Sequence, residues 1–457
     1  MNRSRNVLCA LVLAGLLGAS ACVSPGPESG GVNTNANPNA NAARPTPAAP
    51  TTAARAGESD LPVTLPVLDA MFAEENFAGE LKSRLQLTDE QVNRLREVAG
   101  EATSELSEEE QDRRSTAEAT RRATEKIKEV LGEQKAGEFA ALVRERWSGG
   151  EGAALAAKPN AVPADTRIVV NAPAYRMDVF ENGRLVKTYR VGIGYPEFPL
   201  PQGLRKADTI IFNPTWTPPD EPWVRGKVRP GKTVEAGSKL NPLGPIKIPI
   251  GLPSLIHGGK APARLGTFAS HGCVGLTDAQ VQDFSVVLAG LGGAQLTPED
   301  VKTYGKQKTE TKNVKLQSAV PVELRYETIV VEDGKLKIYR DVYDKGTNTE
   351  ENLRAVLEVF GVRLEDLSEQ ERAQVAEALK AMARDARGNP ADGQATPTPT
   401  PGRDGRVAET RTVKGEKEMV VEIAALRGKG YPAPVSLDAG GQQQSKPAAG
   451  RQGSRRT

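Results

Sequence analysis

Cysteine and histidine are scarce in this chain, and most of them fall in one short segment. The 457 residues include three cysteines and two histidines, and both histidines, His257 and His271, lie within sixteen positions of Cys273. A thiolate can attack a carbonyl carbon, and a neighbouring imidazole can accept and return the proton. These residue types at this spacing predict a nucleophilic site and favour a cysteine acyltransferase or a cysteine hydrolase.

Two other interpretations of the same residues remain open. Cys273 could be a buried cysteine beside incidental histidines. The three residues could instead be ligands of a metal ion, but a zinc site normally pairs its thiolates at Cys-x-x-Cys spacing. No such pair occurs in the sequence, so we predict that the site holds no metal.

The neighbouring residues predict the elements that position this segment. His257 follows the run Ser-Leu-Ile at 254–256, which is typical of the end of a strand. Residues 277–280 (Thr-Asp-Ala-Gln) fit a capping box, so a helix should begin soon after Cys273, and its N-terminal amides favour a negative charge. Gly272 lets the backbone approach a substrate closely, and two amides near the thiolate could hold an oxyanion.

The whole segment resembles the YkuD-type L,D-transpeptidase catalytic domain, most closely its ErfK/YbiS branch. The family signature is Ile-His-Gly, a gap of about a dozen residues and then Ser-His-Gly-Cys, and it falls here at 256–258 and 270–273. Further motifs follow the family's order: Asn-Pro-Thr-Trp-Thr-Pro-Pro at 213–219, Val-Glu-Ala-Gly at 234–237, Asn-Pro-Leu-Gly at 241–244, and closing strands at 320–343. The resemblance covers roughly residues 165–345.

The resemblance implies a role for each residue at the centre of the site. Cys273 is the nucleophile, and His257 is the general base, oriented by a neighbouring backbone carbonyl such as that of Gly258. His271 matches the second family histidine and assists or positions the reacting groups.

The same resemblance assigns the residues around that centre. Ser270 and Gly272 shape the turn, and the backbone N–H groups around Gly272 and Cys273 form the oxyanion hole. Asn213 and Trp216 lie in the substrate-side loop, where Trp216 lines the acyl-donor groove. For Trp216, structural packing in a proline-rich loop is an equally open interpretation.

The implied reaction is acyl transfer on peptidoglycan stem peptides. Cys273 attacks the amide between the third residue of a tetrapeptide stem and its terminal D-Ala, and the thioester then meets an amine. The acceptor is the amine of a second stem, which gives a 3-3 cross-link, or a lysine of a lipoprotein. No metal or organic cofactor is needed. The alternatives are an L,D-carboxypeptidase or another hydrolase on the same site, and a non-catalytic, lipid-anchored scaffold that binds the cell wall.

One position departs from the family pattern. The family usually has arginine two places after the cysteine, where this chain has Gly275. Arg264 or Arg205 could substitute through space.

The first 22 residues predict an export signal. Arg3 and Arg5 precede an apolar run at 7–17, and small residues at 19–21 precede Cys22. This arrangement resembles a bacterial lipobox, which implies that Cys22 is lipidated, that Cys9 is lost and that Cys273 is the only free thiol. An ordinary signal peptide is the alternative. We expect a periplasm-facing location in the cell envelope, with the outer membrane favoured because Ser24 is not Asp.

Composition and periodicity predict several units. The fold class is multidomain and mainly β, a YkuD-like β-sandwich with a short helix after the cysteine, with separate helical segments before and after it. A net charge of +2 gives no electrostatic case for nucleic acid. The expected division is a linker at 23–60, helices at 61–148, the catalytic domain at 160–347, helices at 350–388, a linker at 389–405, a small β segment at 406–436 and a disordered tail at 437–457.

The helical residues before the catalytic domain carry a second, weaker resemblance. Leu-Thr-Asp-Glu-Gln at 87–91, with a degenerate echo at 131–134, looks like the LTxxQ repeat of small periplasmic stress and chaperone proteins. A capping box before a leucine-containing helix produces the same letters. A helical spacer or interaction module therefore remains the alternative.

Overall fold

The computed structural model describes residues 60–74, 76–104, 106, 115–149, 158–219, 224, 227–251, 253–389, 413 and 415–436. The predicted signal, Cys22, the tail and nearly all of both linkers lie outside the described residues. Within the described ranges, no helix is long and apolar enough to cross a membrane.

Five helices precede the first strand. They are α1 (Leu65–Phe72), α2 (Phe77–Leu85), α3 (Asp89–Ser104), α4 (Thr116–Leu131) and α5 (Glu133–Trp147). Most of α1 is buried, and the apolar residues of all five helices meet in one cluster that fully buries Phe77, Leu95 and Phe139. At the start of α3, Thr88 and Gln91 exchange side-chain to backbone hydrogen bonds of 3.1 and 3.2 Å. This capping box accounts for the letters of the LTxxQ-like run, so the chaperone relationship stays a prediction.

The catalytic segment is built on an eight-stranded mixed sheet with the order β3-β2-β1-β10-β5-β6-β7-β9. Its strands are β1 (Arg167–Asn171), β2 (Arg176–Glu181), β3 (Arg184–Arg190), β5 (Gly203–Phe212), β6 (Ile246–Pro249), β7 (Leu255–His257), β9 (Val274–Gly275) and β10 (Lys312–Arg325). The β1·β10 and β7·β9 pairs are parallel, and the other neighbours are antiparallel. Two further short strands, β4 (Ile193–Gly194) and β8 (Phe268–Ser270), pair in parallel beside it.

Two β-hairpins have turns made of the dipeptides Asn-Gly and Asp-Gly. The β2–β3 turn has positive φ at Asn182 (49°) and Gly183 (80°), and the turn of the second hairpin has positive φ at Asp333 (47°) and Gly334 (75°). A two-residue turn with both φ values positive matches the right-handed twist of the strands, and Asn-Gly and Asp-Gly tolerate it best. Both dipeptides lie at the turns of antiparallel strand pairs.

One helix covers the sheet next to the cysteine. A capping box between Thr277 and Gln280 starts α6 (Asp278–Leu291), as predicted. Its residues Phe284 and Leu288 are fully buried against the same core as Ile256 and Val274. The packing fixes the end of the sheet that carries β7 and β9, and α7 (Pro298–Lys306) then leads into β10.

The last described residues form a smaller unit. A three-stranded sheet contains β11 (Ile329–Glu332), β12 (Lys335–Tyr339) and β13 (Glu418–Glu422), and α8 (Glu350–Val359) and α9 (Glu369–Met382) pack against it. With helices before and after a mainly β centre, the predicted fold class is confirmed.

The helices before β1 contact the loop that follows β4. Thr64 Oγ1 donates to the Glu197 carbonyl (2.6 Å), and Thr116 Oγ1 donates to the Pro196 carbonyl (2.8 Å). Arg122 pairs with the buried Glu197 carboxylate at 3.2 Å. These bonds attach the helical segment to residues 196 and 197 of the catalytic segment.

Candidate active site

The cysteine and the first histidine lie at the ends of two neighbouring strands. Strands β7 and β9 are parallel, with Ile256 opposite Val274 and His257 opposite Gly275. The Leu276 amide donates to the His257 carbonyl at 2.8 Å and extends this pairing by one residue. The backbone therefore holds His257 at the end of β7 and Cys273 directly before the neighbouring β9.

His257 is a neutral base at ordinary pH. Its ring Nδ1–H donates to the Gly258 carbonyl at 2.8 Å, which leaves Nε2 as the nitrogen that can accept a proton. Burial, followed by the charge of Lys260, lowers the pKa of His257 to about 3, although hydrogen bonds with the Gly258 and Leu243 backbone oppose the shift. The orientation by the Gly258 carbonyl is the one that the resemblance implies.

Cys273 rests as a thiol. Burial raises the pKa of Cys273, while a hydrogen bond with the Leu255 backbone and the positive charge of Lys260 oppose the rise. The resting pair is thus a neutral thiol and a neutral imidazole, and the proton must move during the reaction.

The turn before the cysteine is held by two serines. Ser270 Oγ accepts from the Cys273 amide (3.1 Å) and donates to the Cys273 carbonyl (2.5 Å). Ser254 Oγ donates to the Gly272 carbonyl (2.8 Å), and Gly272 has φ +87°, a conformation that favours glycine. The Cys273 amide must exchange its serine partner before it can bind an oxyanion, so the proposed oxyanion hole requires a local rearrangement.

His271 lies in an aromatic contact. Its ring centroid is 4.9 Å from that of Phe198, edge to face, and 5.2 Å from that of Tyr195. Burial, followed by the charges of Lys260 and Lys227, lowers the pKa of His271 to about 3. The ring is held by residues of the loop after β4, which gives it a fixed position and a neutral state.

The two predicted substrate-binding residues lie in the long loop after β5. The Asn213 side-chain amide donates to the carbonyls of Tyr304, Gln307 and Glu310 at 2.9 to 3.0 Å. These bonds give Asn213 a structural role, and its contact with substrate stays a prediction. Trp216 is half-buried and pairs through its backbone with Val234, so its place in an acyl-donor groove also stays a prediction.

The two arginines considered as replacements for the missing one have other partners. Arg205 donates through Nη2 to the Trp147 carbonyl at 2.6 Å, which joins β5 to the end of α5. Arg264 donates to the Tyr195 hydroxyl at 2.8 Å and to the Phe268 carbonyl at 2.5 Å.

The cation that lies at Gly275 is Lys260. An ideal Cβ built on Gly275 would lie 2.8 Å from Lys260 Cγ. Sequence reasoning missed this lysine, although the unfilled position 275 was a signal to search for a neighbouring cation.

A metal site has no support in the part of the chain that the structure describes. There, no group of three or more His, Cys, Asp or Glu side chains could hold a metal ion.

A family model identifies the segment that contains this site. Residues 165–289 match YkuD, the L,D-transpeptidase catalytic domain. The resemblance found in the sequence is therefore confirmed for this segment. The match spans a little over a quarter of the 457 residues. No curated protein is similar enough to count as a relative.

Solved L,D-transpeptidases are among the structural neighbours. The NMR structure of the catalytic domain from E. faecium L,D-transpeptidase is 15% identical, covers 36% of this chain and 100% of that one, and has a TM-score of 0.24. An L,D-transpeptidase from Mycobacterium smegmatis is 16% identical over 35% of this chain and 59% of its own, with a TM-score of 0.22. The Ldtfm-avibactam carbamoyl enzyme is 16% identical over 36% of this chain, with a TM-score of 0.22, and the match spans about half of its length (49%). At such identities and TM-scores these likenesses add nothing to the family match.

Proposed function

We propose that this chain is a peptidoglycan L,D-transpeptidase that uses Cys273 as its nucleophile and His257 as its general base. The observation that supports the proposal is the parallel pairing of β7, which ends at His257, with β9, which begins directly after Cys273, inside the segment that matches the catalytic domain. The neutral state of His257 supports the same roles, because only an unprotonated imidazole can take the thiol proton.

Acylation of Cys273 is the first half of the reaction. The Cys273 sulfur attacks the carbonyl carbon of the third stem residue while His257 Nε2 takes the thiol proton. The tetrahedral intermediate collapses, the bond to the D-Ala nitrogen breaks, and the imidazolium returns its proton to the departing amine. The products are a thioester on Cys273 and free D-Ala.

Transfer to an amine is the second half. The amine attacks the thioester carbonyl, His257 takes the proton that the nitrogen loses, and the Cys273 sulfur departs and is protonated again. Thioesters react with amines in preference to water, which favours transfer over hydrolysis. The acceptor is a stem amine, giving a 3-3 cross-link, or a lysine of a lipoprotein.

The site would act in the cell envelope. A lipid anchor at Cys22, followed by the Pro- and Asn-rich residues 23–60, would let the catalytic segment reach the wall from a periplasm-facing membrane, the outer membrane being favoured. His271 would assist or position the reacting groups, and Trp216 would line the acyl-donor groove.

Incubation with a disaccharide-tetrapeptide tests the proposal. Disaccharide-peptide dimer with release of D-Ala is the expected product, and Cys273→Ala, which removes only the sulfur, is the control. Tripeptide monomer without dimer would identify a hydrolase instead.

Mass spectrometry after carbapenem treatment gives a second readout, since the adduct should form on the wild type alone. An adduct that persists in Cys273→Ala would remove Cys273 from the mechanism.

A further inference from the structure

The strand pairing places one gap beside the cysteine. Ile256 and Val274 face the core, and side chains alternate along a strand, so His257 and position 275 face the opposite side. Position 275 is glycine, and Cys273 comes two residues earlier, directly before β9. The side of the sheet that carries the His257 imidazole therefore has room, close to Cys273, for a side chain from elsewhere.

Lys260 fills that room. Its amide donates to the Leu276 carbonyl at 3.1 Å, and the preceding Gly259 amide donates to Asp278 Oδ1 at 2.7 Å. With its backbone fixed at the end of β9 and the start of α6, the Lys260 side chain crosses Gly275. An ideal Cβ on Gly275 would lie 2.8 Å from Lys260 Cγ and 2.9 Å from Cε. Contacts this short show that a larger residue at 275 would displace the Lys260 side chain from its present position.

The charge of Lys260 acts on the reacting groups. Burial lowers the pKa of Lys260 to about 8, and the Cys273 thiolate opposes this effect. In return, Lys260 counteracts the burial that raises the pKa of Cys273, and it lowers the pKa of both His257 and His271. Thiolate and ammonium therefore stabilise each other.

Other charged groups surround this cluster. Arg264 disfavours the Lys260 ammonium, and Lys227 acts on His271. Asp278 lies at the start of α6 beside Gly259, and Lys247 on β6 lies opposite His257 in the strand pairing. Among these cations, the one whose charge acts on Cys273 is Lys260.

We propose that Lys260 is a positioning residue of the acyl-transfer site, and that its ammonium stabilises the Cys273 thiolate from the space that Gly275 leaves open. The same charge makes a protonated His257 a stronger acid, which helps it to return the proton to the departing amine. The inference rests on the proposed function, but it concerns the ionisation of the thiol, which is measured without any peptide substrate.

The rate of Cys273 alkylation by iodoacetamide against pH is the test. The wild-type full chain and Lys260→Met are compared, because methionine keeps the length of the stem and removes the charge. The midpoint of the alkylation curve should move upward by about one pH unit in Lys260→Met, as expected for the loss of one neighbouring opposite charge. Lys260→Arg should keep the wild-type midpoint. A Lys260→Met curve that superimposes on the wild type would overturn the proposal, whether or not the chain cross-links peptides.

Two further variants make the test specific. Lys247→Met removes a lysine that lies opposite His257 and should leave the alkylation midpoint unchanged; an equal shift would contradict a specific role of Lys260. Gly275→Arg in the Lys260→Ala background should restore the midpoint, since the arginine gains the space that the lysine stem occupied. Failure of the double variant to alkylate faster than Lys260→Ala at neutral pH would also count against the proposal. Circular dichroism of each variant shows whether it is folded.

Discussion

Cys273 and His257 are both uncharged at rest, and burial is the first cause of the pKa shift of each of them. A thiol that stays protonated is less prone to adventitious oxidation, because the thiolate is the reactive form. In the proposed reaction a proton must therefore move from the Cys273 sulfur to the His257 imidazole, so we expect the imidazole to contribute directly to the rate.

Replacement of His257 by alanine measures that contribution. We expect kcat/KM to fall by about 10²- to 10⁴-fold, the usual worth of a positioned general base. Cross-linking of disaccharide-tetrapeptide is the assay, and His271→Ala is the matched variant, since His271 also rests neutral but is packed between Tyr195 and Phe198. Near-full turnover by His257→Ala would assign the base to another residue.

The pH dependence follows from the low pKa of His257. Free histidine has a pKa of about 6.5, whereas burial brings the pKa of His257 to about 3. His257 therefore stays unprotonated at mildly acidic pH. We expect kcat/KM to decrease only at pH values well below the ordinary pKa of histidine. An acid limb centred on the pKa of free histidine would show that His257 is solvated in the working enzyme.

The low pKa values of His257 and His271 should make the folded state less stable at acidic pH. Because the unfolded chain binds protons at His257 and His271 between about pH 6.5 and the folded pKa of about 3, unfolding becomes easier as the pH falls through this window. The midpoint temperature of thermal unfolding of the wild type should therefore fall as the pH is lowered through this window. The double variant His257→Gln, His271→Gln should lose less over the same range.

The strands and helices around the site differ in how far the sequence predicts them. The Asn182-Gly183 hairpin and the capping box at Thr277 are local, since a few neighbouring residues specify each of them. The parallel pairing of β1 with β10 joins residues more than 150 positions apart, and no short-range pattern encodes it. The short sequence motif was enough to identify Cys273 and His257. Lys260 could be identified only from the structure, because its contact with Gly275 depends on how the chain folds.

Asn213 links β5 to the loop after α7, and its replacement separates a structural role from a substrate contact. Asn213→Ala removes hydrogen bonds to three backbone carbonyls. It also places a non-glycine residue without a helpful side chain at φ +44°. We expect a loss of about 1–3 kcal/mol in the free energy of unfolding, the cost of leaving buried polar groups unpaired. Urea unfolding measures it, and KM of the folded fraction should stay unchanged; a raised KM with full stability would support the substrate contact instead.

The units of the chain are joined at the site itself. Arg122, Thr64 and Thr116 hold residues 196 and 197 from the helical side, and Phe198 in the same loop packs on His271. From the other side, the Tyr343 hydroxyl donates to the Gly194 carbonyl at 3.0 Å and accepts from the Leu200 amide at 3.3 Å. Helices and closing residues thus share one loop, and that loop supports a catalytic histidine candidate.

The helical segment should therefore influence the rate without touching substrate. Arg122→Ala should lower kcat by roughly 2- to 30-fold, corresponding to a coupling of about 0.5–2 kcal/mol. Arg94→Ala on α3 is the control, because Arg94 pairs only with the exposed Glu97 in the bonds seen here, and exposed pairs contribute little. Equal kcat in the wild type and Arg122→Ala would show that the helices act as a passive spacer.

The position of β10 has a practical consequence for anyone shortening this chain. The family match ends at residue 289, yet β10 begins at Lys312 and lies between β1 and β5, which have no direct pairing with each other in the strand order. A fragment cut at the end of the match would break the sheet into two pieces, with the hairpin on one and the nucleophile on the other. Inhibitor screening or crystallisation with such a fragment would therefore use a chain that cannot form the complete eight-stranded sheet. A fragment for these purposes must extend through Arg325, where β10 ends.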